Sequence, residues 1–311
     1  RKGFQAMAFE IEKRSNLSYD QFEREYSFAN KPVVITDALK DWKALRWTPE
    51  FFKREFGDFR FTINPDRNQK ADYNSNLGTV EYTMSAFIDR VLSSTEEDPA
   101  PYFRNRILGE VFPSLRNDIE PLPPYFSPNW LSESYALKKL QQVFNRGAQI
   151  ELYIGGRGGA FPVLHYDGLA SHAFLMQIYG EKKFILYGPD QEQYMYGEPD
   201  NANLSQVRDV EHPDLAKFPL FAKAQPTTFI LRPGELVFIP SKWWHTTTML
   251  SPSISISVNV VNRSNWPALT EFVSSRRTSV MRMPSRLYLN AAGSWRSARD
   301  RRGESGAQVS S

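Results

Sequence analysis

Cysteine is absent from the 311 residues. Disulfides, zinc–thiolate sites and cysteine nucleophiles are therefore excluded. No apolar run of about 18 residues occurs, so no membrane-spanning helix is predicted. The first residues, RKGFQAMAFEIEKRS, lack the apolar core of a secretory leader. A cytoplasmic or nuclear location is the expectation. Histidine is scarce, with four in the chain, so any histidine chemistry must come from a short roster. A strong charge of one sign is also missing. The net charge is +3, and its basic part sits late: eight arginines follow from Arg276, against Asp300 and Glu304. The segment SWRSARDRRGESGAQVSS (294–311) is small, polar and basic, and reads as a disordered tail. Contact with nucleic acid is expected only through that tail.

What remains is globular, with 41% hydrophobic and 14% aromatic residues. Residues 1–147 read as an α+β region packing on a barrel. Ser18-x-x-Gln21 is a capping box at a helix start, and KPVVITDAL (31–39) is rich in β-branched residues, as strands are. WTPEFFKREFG (47–57) has Thr48 as N-cap and Pro49 at the first helical position. A strand is predicted over 59–64 and a helix over 83–92. The proline-rich stretch 94–129 reads as an irregular surface connection.

From residue 148 to 265 the texture is β. IELYIGG (150–156) is a strand. AFLMQIYGEKKFILYGP (173–189) is two strands around a tight Tyr179-Gly180-Glu181 turn, and TTFILRPGELVFIP (227–240) repeats that form around Pro233-Gly234. SISISVNVVN (253–262) alternates with period 2, the mark of a half-buried strand. Short strands with regular turns predict a mainly β fold with flanking helices, a jelly-roll barrel. Residues 266–293 read as C-terminal helices.

Two segments carry the chemistry. FPVLHYDG (161–168) holds His165 and Asp167, two residues apart and so on one face of a strand. FIPSKWWHTT (238–247) holds His245 after an apolar strand. Alone, His-x-Asp is a weak motif, and an ion pair on a strand is its bland meaning. Two imidazoles and one carboxylate can instead occupy one face of a metal and leave the other open, the donor set of non-haem Fe(II) oxygenases.

In KPVVITDALKDW (31–42), HYDG (165–168), IYGEKKFILYGPDQ (178–191), HPDLAKFPLFAKA (212–224), RPGELVFIPSKWWH (232–245) and ISVNVV (256–261), the chain resembles the JmjC branch of the cupin superfamily. The likeness is to its small JmjC-only protein hydroxylases and covers roughly residues 20–275. It implies a double-stranded β-helix and an Fe(II)- and 2-oxoglutarate-dependent dioxygenase, with His165, Asp167 and His245 holding Fe(II). It implies oxidative decarboxylation of 2-oxoglutarate to succinate and CO2, coupled to hydroxylation of Arg, Asn or Lys in a protein or peptide. N-methyl-lysine or N-methyl-arginine demethylation by the same chemistry stays open, as do a silent JmjC-like scaffold and a cupin that binds metal without 2-oxoglutarate.

The resemblance also implies a basic residue after the turn glycine, paired with the remote carboxylate of 2-oxoglutarate. Lys182 has the spacing, and Lys183, its neighbour, must face the other way. Tyr102 aligns with a tyrosine that bonds the same carboxylate, and Asn259 with an asparagine beside the cosubstrate. The stretch between Asp167 and Gly180 is one residue longer than the family pattern, so GLASHAF (168–174) should bulge, and His172 is expected to take the place of another such asparagine. His212 is expected to be exposed. The family's Ser or Thr three residues before the first ligand is here Pro162, which has no donor. C-terminal helices after the barrel often dimerise in the family, so a homodimer is expected there. The stretches 94–129 and 194–214, the latter rich in aromatic and acidic residues, are expected to flank the barrel mouth and receive a basic or polar peptide.

Overall fold

The computed structural model describes residues 10–63, 78–135, 137–275 and 279–301, the side chains of 279–283 excepted. Asn64 of the strand predicted over 59–64, and residues 302–311 of the predicted tail, lie outside them. Twelve strands are described: β1 (Glu12–Arg14), β2 (Val33–Ile35), β3 (Arg60–Ile63), β4 (Val80–Thr83), β5 (Phe103–Ile107), β6 (Ile150–Gly155), β7 (His172–Tyr179), β8 (Lys182–Tyr187), β9 (Thr227–Leu231), β10 (Leu236–Ile239), β11 (Trp244–Met249) and β12 (Ser253–Val260). Helices are α1 (Tyr19–Phe22), α2 (Pro49–Phe56), α3 (Met84–Leu92), α4 (Leu108–Val111), α5 (Lys138–Gly147), α6 (Trp266–Ser275) and α7 (Ser279–Arg301).

A seven-stranded sheet runs in the order β1-β2-β10-β7-β12-β6-β5 and faces a three-stranded sheet, β11-β8-β9; β3 and β4 form a separate pair. This is a jelly-roll sandwich whose two sheets do not close into one barrel among the described residues. The tight turns explain it. β7 and β8 do not pair with each other, and neither do β9 and β10: each turn carries the chain from one sheet to the other. Gly180, at φ +71°, makes the first crossing, and a Cβ there would lie 1.9 Å from the Pro252 carbonyl oxygen. The turn therefore requires glycine.

Alternation along the strands divides the interior. On β7, Phe174, Met176 and Ile178 pack outward against the N-terminal helices, together with Ile254, Ile256 and Val258 of β12. Between the sheets, Val34, Phe184, Leu186, Phe229, Leu231, Val237 and Ile239 form an apolar core at one end. The N-terminal region does more than pack on the sheet, since it supplies β1, β2 and β5. Its caps are those predicted: Ser18 forms the full capping box and Thr48 caps α2.

Three expectations are corrected. The 94–129 stretch is not a surface connection, because it forms β5 and α4 and buries Phe103, Leu108, Phe112, Ile119 and Phe126 in the main core. β12 is not half-exposed; as an inner strand between β7 and β6 it is covered on both faces, and its serines point into the molecule. Residues 294–301 are not disordered. They continue α7, where Asp300 accepts a hydrogen bond from the Trp130 indole (2.9 Å) and Arg296, 3% exposed, donates to the Ser134 carbonyl (3.0 Å). Composition marks polarity but not such anchors, and these hold a polar helix in place. No helix among the described residues is long and apolar enough to cross a membrane.

Candidate metal centre and its cavity

His165 and His245 are direct partners in an antiparallel bridge. The amide of His165 donates to the carbonyl of His245 (3.1 Å), and the amide of His245 donates back (2.6 Å). His245 lies on β11, whereas His165 belongs to no regular strand. Its segment is held by that bridge and by the loop after β8: Ser205 donates to the Leu164 carbonyl (2.8 Å), Tyr166 to that of Asn203 (3.1 Å), and the Asn203 amide to that of Tyr166 (2.8 Å).

Both rings have the same local lock. Nδ1 of His165 donates to the Val163 carbonyl (2.9 Å) and Nδ1 of His245 to the Trp243 carbonyl (3.0 Å), in each case two residues back. A carbonyl only accepts, so each Nδ1 carries the proton and each Nε2 presents a lone pair. The Asp167 carboxylate stands between them, 3.7 Å from Nε2 of His165 and 4.0 Å from Nε2 of His245. The three donor atoms lie within 4.8 Å of one another. Burial raises the Asp167 pKa, but the two imidazoles and the Asn259 amide outweigh it and hold the carboxyl below its ordinary value. Burial pulls His245 down to about 4, with His165 adding to the effect. A deprotonated carboxylate and a neutral imidazole are the forms that bind a divalent metal. Two nitrogens and one oxygen on one side suit Fe(II).

The triad lines a cavity of about 210 Å3 that Tyr102, Tyr153, Ser257 and Asn259 also line. Lys182 does not itself line the cavity but is buried against Tyr102 and Tyr153 of its wall. Its Nζ donates to Ser255 Oγ (2.5 Å) and to Tyr102 Oη (3.3 Å), and lies over the Tyr102 and Tyr153 rings. No carboxylate lies within 4 Å of it among the described residues, and burial drags its pKa down to about 7. A buried lysine with no counter-charge, packed on tyrosines that share a cavity with a three-donor metal set, suits a small dicarboxylate that also reaches the metal. Lys183 points outward and pairs with Glu211 (2.6 Å), as parity requires. Asn259 donates to Ser171 Oγ (2.7 Å) at the cavity wall.

His172 does not line the cavity. Its Nε2 meets Ser264 Oγ (2.8 Å), and its Nδ1 accepts from the Ser241 amide (3.0 Å). Residues Gly168–Ala170 form a short 3-10 turn, where Leu169 and Ala170 take positive φ (61° and 49°), and not a bulge. Ser171, just before β7, and Ala173 on it face the cavity, and His172 faces away. His212 is exposed beside Asp209 (3.4 Å). Pro162 is off the cavity, and a hydroxyl residue is supplied instead by Thr247. The 194–214 stretch contributes nothing to the cavity wall; it clamps the ligand segment. Two of its acids are paired, Glu198 with Arg208 and Glu211 with Lys183 of β8. Of the cavity's lining residues, Arg146 and Gly168 are exposed to solvent, which places the mouth beside them.

Sequence reasoning also missed Glu151, Tyr153, Ser171, Thr247 and Ser257 as cavity residues. A signal existed: on β6 and β12 the polar residues alternate with core residues, so they share one face. With the sheet buried on both sides, that face is the cavity.

This sandwich and donor set define a cupin-type metal centre. The chain belongs to the cupin-like domain family, whose profile matches residues 19–264. It is similar to the 2-oxoglutarate and iron-dependent oxygenase JMJD4 of Gallus gallus (31% identical over 292 residues, 88% of this chain and 64% of that protein). It is also similar to the arginine-specific demethylase JMJ20 of Arabidopsis thaliana (29% over 265 residues, 80% and 56%) and to lysine-specific demethylase 8 of Danio rerio (29% over 250 residues, 77% and 55%). The chain thus spans between 55% and 64% of the length of these relatives.

Proposed function

We propose that this chain is an Fe(II)- and 2-oxoglutarate-dependent dioxygenase that hydroxylates a side-chain carbon of Arg, Asn or Lys in a protein. The observation that carries the reading is the pairing of the His165–Asp167–His245 set with an ammonium, Lys182, that is buried without a counter-charge. With metal and cosubstrate bound, oxygen is reduced while 2-oxoglutarate loses CO2 to become succinate, and one oxygen atom enters a C–H bond of the substrate.

The residues have separate tasks. His165, Asp167 and His245 would hold the metal through two nitrogens and one oxygen, a donor set suited to oxygen chemistry. The carbonyls of Val163 and Trp243 fix the ring tautomers, so no proton blocks Nε2. Lys182 and Tyr102 receive the remote carboxylate of the cosubstrate, and Asn259 steadies Asp167 through its amide. The apolar end of the sandwich keeps water from that inner side. The C-terminal helices carry the expected homodimer surface, on which α7 exposes Leu287 and Trp295.

Purified protein with Fe(II), ascorbate and 2-oxoglutarate, assayed for succinate with and without cell extract, tests this. Mass spectrometry of the extract proteins should find a +16 Da change that needs both 2-oxoglutarate and His165. The names of two relatives favour a second reading, demethylation of an N-methylated Lys or Arg. A loss of 14 Da in the same assay would establish it.

A further inference from the structure

We infer that Glu151 selects the substrate: its carboxylate is the counter-charge for a cationic side chain, an ammonium or a guanidinium, offered to the metal centre. This rests on the hydroxylase reading and narrows it.

Glu151 is on β6, in register with Ser257 of β12, and lines the same cavity as the triad. Its Oε2 accepts from Tyr153 Oη (2.6 Å) and from the Asn105 amide (3.2 Å). Asn105 also donates to Tyr153 Oη (3.0 Å), and its backbone sits at φ 53°. Two donors therefore pin one carboxylate oxygen. The other, Oε1, has no hydrogen-bond or ion-pair partner among the described residues. A carboxylate fixed this way and aimed into a cavity lacks one thing, a cation. Its pKa is raised first by burial and then by the charge of Asp167, against the pull of its two hydrogen bonds and of Arg146. An arriving cation relieves that cost.

Arg104 lies over the Phe161 ring and donates to Asn105 Oδ1 (3.1 Å), on the far side of Asn105 from Glu151 in the hydrogen-bond chain. Asp167 faces the metal, and Lys182 faces the cosubstrate carboxylate. Arg146 is exposed at the mouth, at the end of α5. Glu151 is then the charge left inside the wall. A neutral side chain would leave it unpaired, and an acidic one would be repelled.

The test uses the full chain with Fe(II), ascorbate and 2-oxoglutarate. Peptide libraries carry a fixed central Lys, Arg, Gln or Met in an otherwise random sequence, and the +16 Da product is read at the central residue. The wild type should modify the Lys or the Arg library, and the arm that reacts tells ammonium from guanidinium. Glu151→Gln should slow that reaction by about 30-fold or more, the loss expected when one partner of a buried charge pair is removed. Its affinities for Mn(II) and for 2-oxoglutarate, measured separately, should match the wild type. Reaction of the Gln or Met library at an equal rate overturns the inference. So does a Glu151→Gln protein that keeps its rate, or one that loses metal and cosubstrate binding in step, which would make Glu151 a structural anchor for Tyr153. A wild type that binds Mn(II) and 2-oxoglutarate yet modifies none of the libraries overturns it too. A wild type that binds neither defeats the oxygenase reading itself, a result distinct from these.

Discussion

His165 and His245 face each other across a single antiparallel bridge, exchanging both backbone hydrogen bonds, with ring centroids 4.4 Å apart. Residues 80 positions apart in sequence are thus fixed to one another by main chain, before any metal contributes. The side chains can then be changed without removing the framework that places them.

His245→Ala should therefore abolish divalent-metal binding while the fold survives. The bridge is main chain and remains, and the lost packing should cost no more than ~3 kcal/mol. Mn(II) titration by electron paramagnetic resonance under anaerobic conditions should show one site in the wild type and none in the variant. Circular dichroism should show the same strand content in both. Retained Mn(II) binding in the variant would disprove the assigned donor set.

Lys182→Ala should weaken 2-oxoglutarate binding by ~2–5 kcal/mol, because a buried carboxylate would lose its charged partner. Lys183→Ala removes a surface pair with Glu211 and should change the affinity by less than ~1 kcal/mol. Calorimetric titration of both variants decides it. Equal effects, or the reverse order, would refute the assignment of Lys182 to the cosubstrate.

Lys182 also sets a pH dependence. Burial lowers its pKa from 10.5 to about 7 in the folded protein. Above both values it is neutral in either state and carries no penalty. As pH falls from 10.5 towards 7, the unfolded chain takes up a proton that the folded chain refuses, so stability falls; below 7 the loss is complete. Relative to Lys182→Met, the metal-free wild type should gain stability as pH rises from 7 to 10. Saturating 2-oxoglutarate supplies an anion and should flatten that difference. Urea titrations across this range, with and without the cosubstrate, measure it. A slope of opposite sign would mean that the ammonium already has a partner.

Phe174→Ala should destabilise the whole protein by ~3–5 kcal/mol, as for other buried aromatics. Phe174, on β7, touches Phe22, Phe126 and Phe238, so it joins the N-terminal region to the sheet. Since that region also supplies three strands, the regions should melt in one transition. Two separate calorimetric transitions would instead show that 148–265 folds without residues 1–147.

The most legible parts of the sequence were those fixed by local chemistry. The caps of α1 and α2, the nearness of His165 to Asp167, and the inward turn of Lys182 with Lys183 outward depend on spacing and parity, which the chain carries in itself. Other features depend on what packs against a segment. The serines of β12 read as a solvent face because alternation cannot tell water from an internal polar cavity. His172 was misplaced because the segment after Asp167 can form a bulge or a turn, and only the positive φ of Leu169 and Ala170 decides the parity that follows. The turns at Gly180 and Gly234 were visible, but not that each crosses between sheets. The end of α7 was missed because Arg296 and Asp300 look like solvated charges until Ser134 and Trp130 are seen beside them.

The serine row on β12 has a consequence for how this protein would respond to selection. Ser255 and Ser257 occupy interior positions beside Ile254, Ile256 and Val258, where valine would bury more hydrocarbon and favour the extended backbone. A search for heat resistance alone would drift toward such replacements. It would also strip the hydroxyl that holds Lys182 and the one that lines the wall beside Glu151. Thermal tolerance and chemistry are antagonists along this strand, and variants that melt later should turn over more slowly.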